Sequence, residues 1–318
     1  MTVTGEPIVA VVGKYQDGKS SLINALLGGR YAQTGCGLRT TGCCAYYRYG
    51  EKFSASLAGP SGVRRKVSQE EVRNGSFQCG SDERLEVSCP APLLRRVVLV
   101  DTPGFGASSD DDETARDAIR QSAFVIFLHG SGKGQVDGEG MELLDFIREA
   151  GKRILFLFNC KDDGSAPKKW RPNSKASEEN CESVAASLDG MGMGKTLIPV
   201  KGRTVWPCNP VFSWYAQGRL EEERRSCEDS ELREQAEEFL EQIGNVAENW
   251  CRDGQDPHEA LGRLSGMAEI RKEVESAFAM ELVDIPQAMK EEAERLVEGW
   301  KSRCRSALKS MIKAGSQV

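Results

Sequence analysis

The fold prediction for this chain starts from the sequence Gly13-Lys14-Tyr15-Gln16-Asp17-Gly18-Lys19-Ser20. It matches the pattern G-x-x-x-x-G-K-[ST] at every fixed position. Residues 8–12 before it are continuously apolar and predict a buried strand, and residues 20–27 after it carry apolar side chains at helical spacing. Strand, loop and helix in this order predict a turn whose backbone amides and lysine surround phosphate groups.

Each residue type in this loop has a physical reason. Gly13 and Gly18 let backbone N–H groups turn inward without a side chain in the way. Lys19 supplies a positive charge to the β- and γ-phosphates, and Ser20 offers its hydroxyl to Mg²⁺. The residues predicted to contact the nucleotide here are Gly13, Tyr15, Gln16, Asp17, Gly18, Lys19, Ser20 and Ser21.

Apolar runs at 97–100, 123–128 and 154–158 predict three more buried strands, with helical patterns at 113–121 and 139–150 between them. This rhythm predicts an α/β fold with a mostly parallel central sheet flanked by helices.

The region between residues 42 and 95 has a different pattern. Strand signals at 43–49 and 54–57 predict an antiparallel edge strand or hairpin, and Ser68 with Glu71 predicts a capped helix at 68–74. Further along the chain, residues 164–180 predict a loop and residues 204–207 a final strand.

The last third of the chain predicts helices. Residues 220–251 and 286–313 carry apolar side chains at helical spacing, so we expect a C-terminal helical bundle. The predicted domains are residues 1–216, which bind the nucleotide, and residues 217–318, which pack on them as a bundle or truncated stalk. Five cations on the last helix indicate either a membrane-surface helix or a solvated basic face.

Asp101-Thr102-Pro103-Gly104 directly follows the strand signal at 97–100. Ligands bind at the carboxyl ends of the strands in such folds, so Asp101 is placed to hold Mg²⁺ through water. The Gly104 amide is placed to meet the γ-phosphate.

Asn159-Cys160-Lys161-Asp162 follows the strand signal at 154–158. A carboxylate accepts hydrogen bonds from both N1–H and the amino group of guanine, a donor pair that adenine lacks, so Asp162 predicts guanine specificity. Asn159 and Lys161 are predicted to line the same base. The usual pattern is Asn-Lys-x-Asp, and Cys160 at the lysine position leaves an ATP-dependent enzyme open as an alternative.

These three motifs, in this order, resemble the small-GTPase superfamily, and more particularly the dynamin-like GTPases and their bacterial relatives. The narrower resemblance depends on residues 18–28, on Thr40-Thr41, on Phe105-Gly106 after Gly104, and on residues 205–209 and 265–270. It covers roughly residues 6–280.

The resemblance implies further site residues. Thr41, or Thr40 because the pair leaves the register open, completes the Mg²⁺ shell, and Cys208 and Asn209 line the base or ribose. Phe105 stands where Ras-like enzymes carry a water-orienting glutamine. Gln16, with Lys19 and the threonine pair, is therefore the expected catalytic set, and Lys14 or Arg39 is either a basic finger or a solvated cation.

Composition limits the remaining classes. The net charge of −6 argues against a nucleic-acid-binding protein. The eleven cysteines show no C-x-x-C pair, which predicts reduced, structural thiols and a cytoplasmic protein, with peripheral membrane contact left open.

The predicted function is hydrolysis of GTP to GDP with Mg²⁺, activated by pairing of GTPase domains in a homodimer or by a protein partner. The alternatives are a nucleotide-gated binding module with little turnover and a ribosome-associated GTPase.

Overall fold

The structure, a computed structural model, describes residues 6–34, 43–60, 62–80, 82–130, 135–160, 172, 174–226, 230–251 and 254–281. Thr40, Thr41, Arg39, Lys161, Asp162 and the predicted helix at 286–313 lie outside these residues. The chain divides into two compact units, residues 1–273 and 274–318. The predicted domain boundary at residue 216 stays a prediction.

The first compact unit is built on one sheet, to which the described residues contribute nine strands. Their bounds are β1 Ile8–Val12, β2 Ala45–Tyr49, β3 Ser54–Ala58, β4 Arg64–Val67, β5 Arg84–Cys89, β6 Val98–Asp101, β7 Phe124–Gly130, β8 Arg153–Asn159 and β9 Val205–Cys208. The order across the sheet is β4-β3-β5-β2-β6-β1-β7-β8-β9.

The centre of this sheet is parallel. Strand β1 pairs in parallel with β6 and β7, and β7, β8 and β9 continue in the same sense. Every residue of β1 is buried, as expected for a strand covered on both faces. The predicted α/β fold with a mostly parallel sheet is confirmed.

The other half of the sheet is mixed. Strand β2 runs antiparallel to β6 and parallel to β5, and β3 lies antiparallel between β5 and β4. Antiparallel pairing is present in this region, but a hairpin of residues 43–49 with 54–57 is wrong, because β5 lies between β2 and β3. The sequence did not indicate β4 or β5 separately. Strand β4 lies at one end of the described sheet and exposes Arg64, Arg65 and Lys66 in succession.

Several helices lie close to the positions predicted for them, among them α1, α3 and α4. The described helices are α1 Lys19–Leu27, α2 Gln69–Asn74, α3 Ser109–Gln121, α4 Gly138–Glu149, α5 Lys175–Gly190, α6 Pro210–Ala216, α7 Arg219–Ser226, α8 Ser230–Trp250, α9 Pro257–Leu264 and α10 Met267–Glu281, and residues 92–95 form a 3-10 turn. The predicted capping box of α2 is present, with Ser68 Oγ accepting from Glu71 N and the Glu71 carboxylate accepting from Ser68 N.

Two predictions for the later part of the chain need correction. Residues 175–180, predicted as loop, are the first residues of α5, because Ser174 accepts a hydrogen bond from Ser177 N and caps that helix. The single helical region predicted at 220–251 is divided into α7 and α8. Residues Phe212, Tyr215, Ile243, Val246, Ala247 and Leu261 of α6, α8 and α9 share a separate apolar cluster.

One pair of cysteines also differs from expectation. Cys43 and Cys79 form a disulfide, so the prediction that the thiols are reduced is wrong for this pair. Cys43 lies two residues before β2, and Cys79 lies in the segment leading to β5. Because β2 and β5 are parallel neighbours, the chain brings these two starting points together, a relation that cysteine spacing alone does not reveal.

None of the described helices has a segment sufficiently long and apolar to cross a membrane. The expectations of a cytoplasmic location and of peripheral membrane contact stay predictions.

Candidate nucleotide-binding site

The loop of residues 13–18 connects the end of β1 to the start of α1 and adopts a backbone that its sequence permits. Gly13 and Gly18 have φ of +155° and +93°, and a Cβ at Gly13 would lie 2.3 Å from the Leu128 carbonyl oxygen. Only glycine fits there. Inside the loop, Lys14 N–H donates to Asp17 Oδ2 at 2.9 Å and holds the turn closed.

Lys19 is 8% exposed and its ammonium points back across the loop. It donates to the carbonyl oxygens of Gly13 at 3.2 Å and Lys14 at 2.9 Å. A phosphate oxygen is a stronger, charged acceptor for such an ammonium than a backbone carbonyl. The structure therefore places Lys19 inside the predicted phosphate loop.

Ser20 and Asp101, predicted as metal ligands from sequence positions far apart, lie together. Ser20 Oγ donates to Asp101 Oδ2 at 2.8 Å, and the side chain of Asp101 is 2% exposed. Asp101 Oδ1 is buried and accepts no hydrogen bond from the described residues. Burial raises the pKa of Asp101 to about 6, although the charge of Lys19 and the hydrogen bond from Ser20 oppose this rise.

These groups fit Mg²⁺ in their chemistry. Magnesium prefers carboxylate, hydroxyl and water oxygens, and it commonly keeps several waters while one or two protein groups hold it. A hydroxyl and a carboxylate with one unused buried oxygen supply that donor set. The third predicted ligand, Thr41 or Thr40, lies outside the described residues.

The segment Asp101–Gly104 runs directly beside the loop. Thr102 Oγ1 donates to the Val11 carbonyl at 2.9 Å, and Phe105 N donates to the Gly13 carbonyl at 3.2 Å. A Cβ on Gly104 would lie 2.8 Å from Tyr15 Cα, so the two backbones can approach only because residue 104 is glycine. Phe105 is 3% exposed and packs in the main core.

Asn159 connects the predicted base-binding segment to the phosphate loop. Its side-chain nitrogen donates to the Asp17 carbonyl at 2.9 Å, while its Oδ1 is buried without a hydrogen bond from the described residues. A Cβ on Gly18 would lie 2.6 Å from the same nitrogen. The close packing of Asn159 against the loop therefore requires glycine at position 18 as well.

Cys160 points away from this surface. Its side chain is 2% exposed, and burial raises the pKa of its thiol to about 12. Its backbone N–H donates to the Cys208 carbonyl at 2.9 Å, which continues the pairing of β8 with β9. The cysteine at the expected lysine position is thus a core residue of the sheet end.

Cys208 and Asn209 are fully buried at the end of β9. Asn209 Oδ1 accepts from Val211 N at 3.1 Å and Phe212 N at 3.2 Å and thereby caps α6. Their predicted contact with base or ribose stays a prediction.

Two other residues predicted to contact the nucleotide, Tyr15 and Gln16, lie in the same turn, and Ser21 lies in the first turn of α1. Tyr15 and Ser21 are half-buried and Gln16 is exposed, with φ of +66°. Their contacts with nucleotide stay predictions.

Sequence reasoning missed two carboxylates at this site. Asp137 and Glu139, at the start of α4, both pair with the ammonium of Lys14. A helix-capping aspartate was recognisable before residue 138. Its approach to Lys14 was not, because 123 residues separate the two along the chain.

The chain is similar in sequence to proteins of the dynamin family. Residues 9–160 match the sequence model described as the dynamin family. Over 164 residues the chain is 28% identical to dynamin-like protein 2 of Campylobacter jejuni, covering 50% of this chain and 26% of that protein. Over 156 residues it is 24% identical to the probable transmembrane GTPase FZO-like, chloroplastic, of Arabidopsis thaliana, covering 49% of this chain and 15% of that protein.

Among solved structures, an oligomerised bacterial dynamin pair matches with a TM-score of 0.46 and 18% identity, covering 77% of this chain and 38% of that chain. The match to the Campylobacter protein spans about a quarter of that relative's length.

Proposed function

Residues 9–160 form a dynamin-like GTPase domain of the P-loop class, and from this premise we propose that the chain binds GTP at residues 13–20 and hydrolyses it to GDP and phosphate. The observation that carries the proposal is the meeting of Lys19, Ser20 and Asp101 at the carboxyl ends of β1 and β6. A positive charge, a hydroxyl and a carboxylate in this arrangement suit a triphosphate with its metal ion.

Each residue has a separate role in this proposal. The loop amides and Lys19 bind the β- and γ-phosphates, and Gly104 and Tyr15 lie side by side where the γ-phosphate would end. Ser20 and Asp101 would hold Mg²⁺, completed by Thr41 or Thr40. Bound Mg²⁺ supplies neutralisation of charge on the phosphate oxygens.

Guanine recognition is proposed for the segment from Asn159 to Asp162. Asn159 supports the role through its contact with the Asp17 carbonyl, which holds Asn159 itself against the phosphate loop. Lys161 and Asp162 are proposed to contact the base. Cys160 is proposed to make no contact with the base, because its thiol is buried.

The burial of Phe105 supports a proposal that self-association or a protein partner activates hydrolysis. A buried phenyl ring cannot orient the attacking water, so the residue after Gly104 contributes no hydrolytic group. We propose that basal turnover is slow and rises when a second GTPase domain or another protein supplies the missing contacts. The same observation favours the second candidate function, a nucleotide-gated binding module with little turnover of its own.

The decisive experiment compares wild type with Lys19→Ala. We expect wild type to bind a fluorescent GTP analogue that unlabelled GTP displaces and ATP does not, and to cleave GTP when Mg²⁺ is present. Loss of the ammonium should reduce GTP affinity at least about tenfold, since charge-assisted contacts to phosphate are strong. Unchanged affinity in a folded Lys19→Ala protein would refute the proposal, and binding without single-turnover cleavage would favour the binding module.

A further inference from the structure

Lys14 makes contacts that the phosphate-loop pattern does not require. Its ammonium lies 2.5 Å from Asp137 Oδ2 and 2.6 Å from Glu139 Oε2. Asp137 is the N-cap of α4, and Glu139 lies in the first turn of that helix. These two ion pairs fasten the loop to the beginning of α4.

The ammonium is more covered than its partners. The side chain of Lys14 is 21% exposed, whereas those of Asp137 and Glu139 are 48% and 53% exposed. Water and salt screen a partly covered charge less than an exposed one, so this pairing is stronger than an isolated surface pair. The hydrogen bonds that Lys14 donates to Asp137 and then to Glu139 raise the pKa of its ammonium, so its charge is retained at neutral pH.

The backbone of Lys14 is also held on both sides. Its N–H donates to Asp17 Oδ2 at 2.9 Å, and its carbonyl accepts from Lys19 Nζ at 2.9 Å. Lys14 forms an isolated parallel bridge with Phe105. A shift of Lys14 would therefore displace the resting position of the Lys19 ammonium and the residue that follows Gly104.

Glu139 reaches the same region from the other direction. A Cβ on Gly106 would lie 2.6 Å from Glu139 Oε2, so the carboxylate lies close to the backbone just after Gly104. The start of α4 thus contacts both segments that surround the predicted γ-phosphate position.

We propose that Lys14 is a positioning residue for GTP hydrolysis, which joins the phosphate loop to the first turn of α4 through Asp137 and Glu139. The inference rests on the proposed function. The loop takes part of its geometry from α4, and a movement of α4 changes the placement of Lys19. The ammonium also neutralises two carboxylates that would otherwise repel a bound triphosphate.

The test uses two ways of breaking the same contact. Lys14→Gln removes the cation, and the double variant Asp137→Asn/Glu139→Gln removes the anions while asparagine keeps the cap of α4. The triple variant, which combines Lys14→Gln with Asp137→Asn and Glu139→Gln, completes a mutant cycle. The matched control is Asp145→Asn, which breaks an exposed ion pair within α4, 2.7 Å to Arg148, near the other end of that helix.

Single-turnover GTP cleavage and nucleotide affinity are measured for each protein. We expect Lys14→Gln and the double variant each to slow cleavage about tenfold, because small misplacements of catalytic groups have large effects on rate. The triple variant should be no slower than the slower of them, since all three lose one shared contact. Lys14→Gln alone should weaken GTP binding more than GDP binding, because it leaves two carboxylates unneutralised, and Lys14→Arg should retain cleavage.

Two results would overturn the inference. The first is that Lys14→Gln and the double variant cleave GTP at the rate of Asp145→Asn. The second is that the triple variant loses as much rate as the product of the two separate fold-losses. Lys19→Ala in the same assay separates this failure from that of the proposed function. Wild-type cleavage no faster than Lys19→Ala overturns both, whereas faster wild-type cleavage with unaffected Lys14 variants overturns only the role of Lys14. Should Lys14→Gln fail to fold, the double variant against its control decides alone.

Discussion

Single residues at this site carry contacts between segments that are distant in the sequence. Asn159 is 3% exposed and ties the end of β8 to the phosphate loop through the Asp17 carbonyl. The sequence predicted Asn159, Lys19, Ser20 and Asp101 because each stands in a local pattern beside a strand. The contact of Lys14 with α4 has no local pattern, and neither has the hydrogen bond between Asn159 and Asp17.

Asn159→Ala tests how much Asn159 contributes to the stability of the folded protein. We expect the free energy of unfolding to fall by about 1–3 kcal/mol, because a buried hydrogen bond is lost, and GTP affinity to fall with it. Urea unfolding and titration with a fluorescent GTP analogue measure the two effects. Asn180→Ala, at an exposed position of α5, is the control, and equal losses in both variants would contradict the assignment.

Cys160 gives a chemical prediction at the same scale. With its pKa raised to about 12 by burial, the thiol stays protonated as pH rises through 8, and it is also covered. We expect iodoacetamide at pH 8 to modify the half-buried, free Cys251 well before Cys160 in the native protein. Peptide mapping after timed labelling measures the order, and early modification of Cys160 would mean that its side chain is open to solvent.

Some strands and helices could be predicted from adjacent residues alone, whereas others are defined by contacts with distant parts of the chain. Strand β1, the phosphate loop and α1 follow from adjacent residues and were predicted together. Strand β5 shows alternating burial, and three of the four residues of β4 are exposed, so their apolar signal is weak and pairing with β3 defines them. Helix α5 starts within a polar stretch, where only its serine cap marks the beginning.

The disulfide between Cys43 and Cys79 adds a covalent connection between two such elements. It closes a loop across a sequence separation of 36 residues, for which chain entropy gives a stabilisation of about 4 kcal/mol. We expect dithiothreitol to lower the urea midpoint of wild type and to leave that of Cys79→Ser unchanged. Mass spectrometry of the unreduced protein should find the linked peptides, and equal responses of both proteins to reduction would contradict the bond's contribution.

At the scale of the whole molecule, the proposed activation predicts a dependence on protein concentration. If a second GTPase domain completes the site, turnover per molecule should rise as the concentration increases from well below to well above the dissociation constant of the dimer. Steady-state phosphate release over a wide concentration range, with sedimentation velocity under the same conditions, measures both quantities. Constant turnover per molecule while the protein dimerises would exclude activation by self-association.

A row of cations lies along β4, which is at one end of the sheet formed by the described residues. If two chains tried to extend their sheets into one another through this margin, Arg64, Arg65 and Lys66 of one copy would face the same three residues of the other. Like charges directly opposite each other across neighbouring strands repel, so this margin resists joining its own kind. Glu86 pairs with Arg64, so the repulsion comes chiefly from Arg65 and Lys66, and it disfavours a continuous sheet between copies along this side.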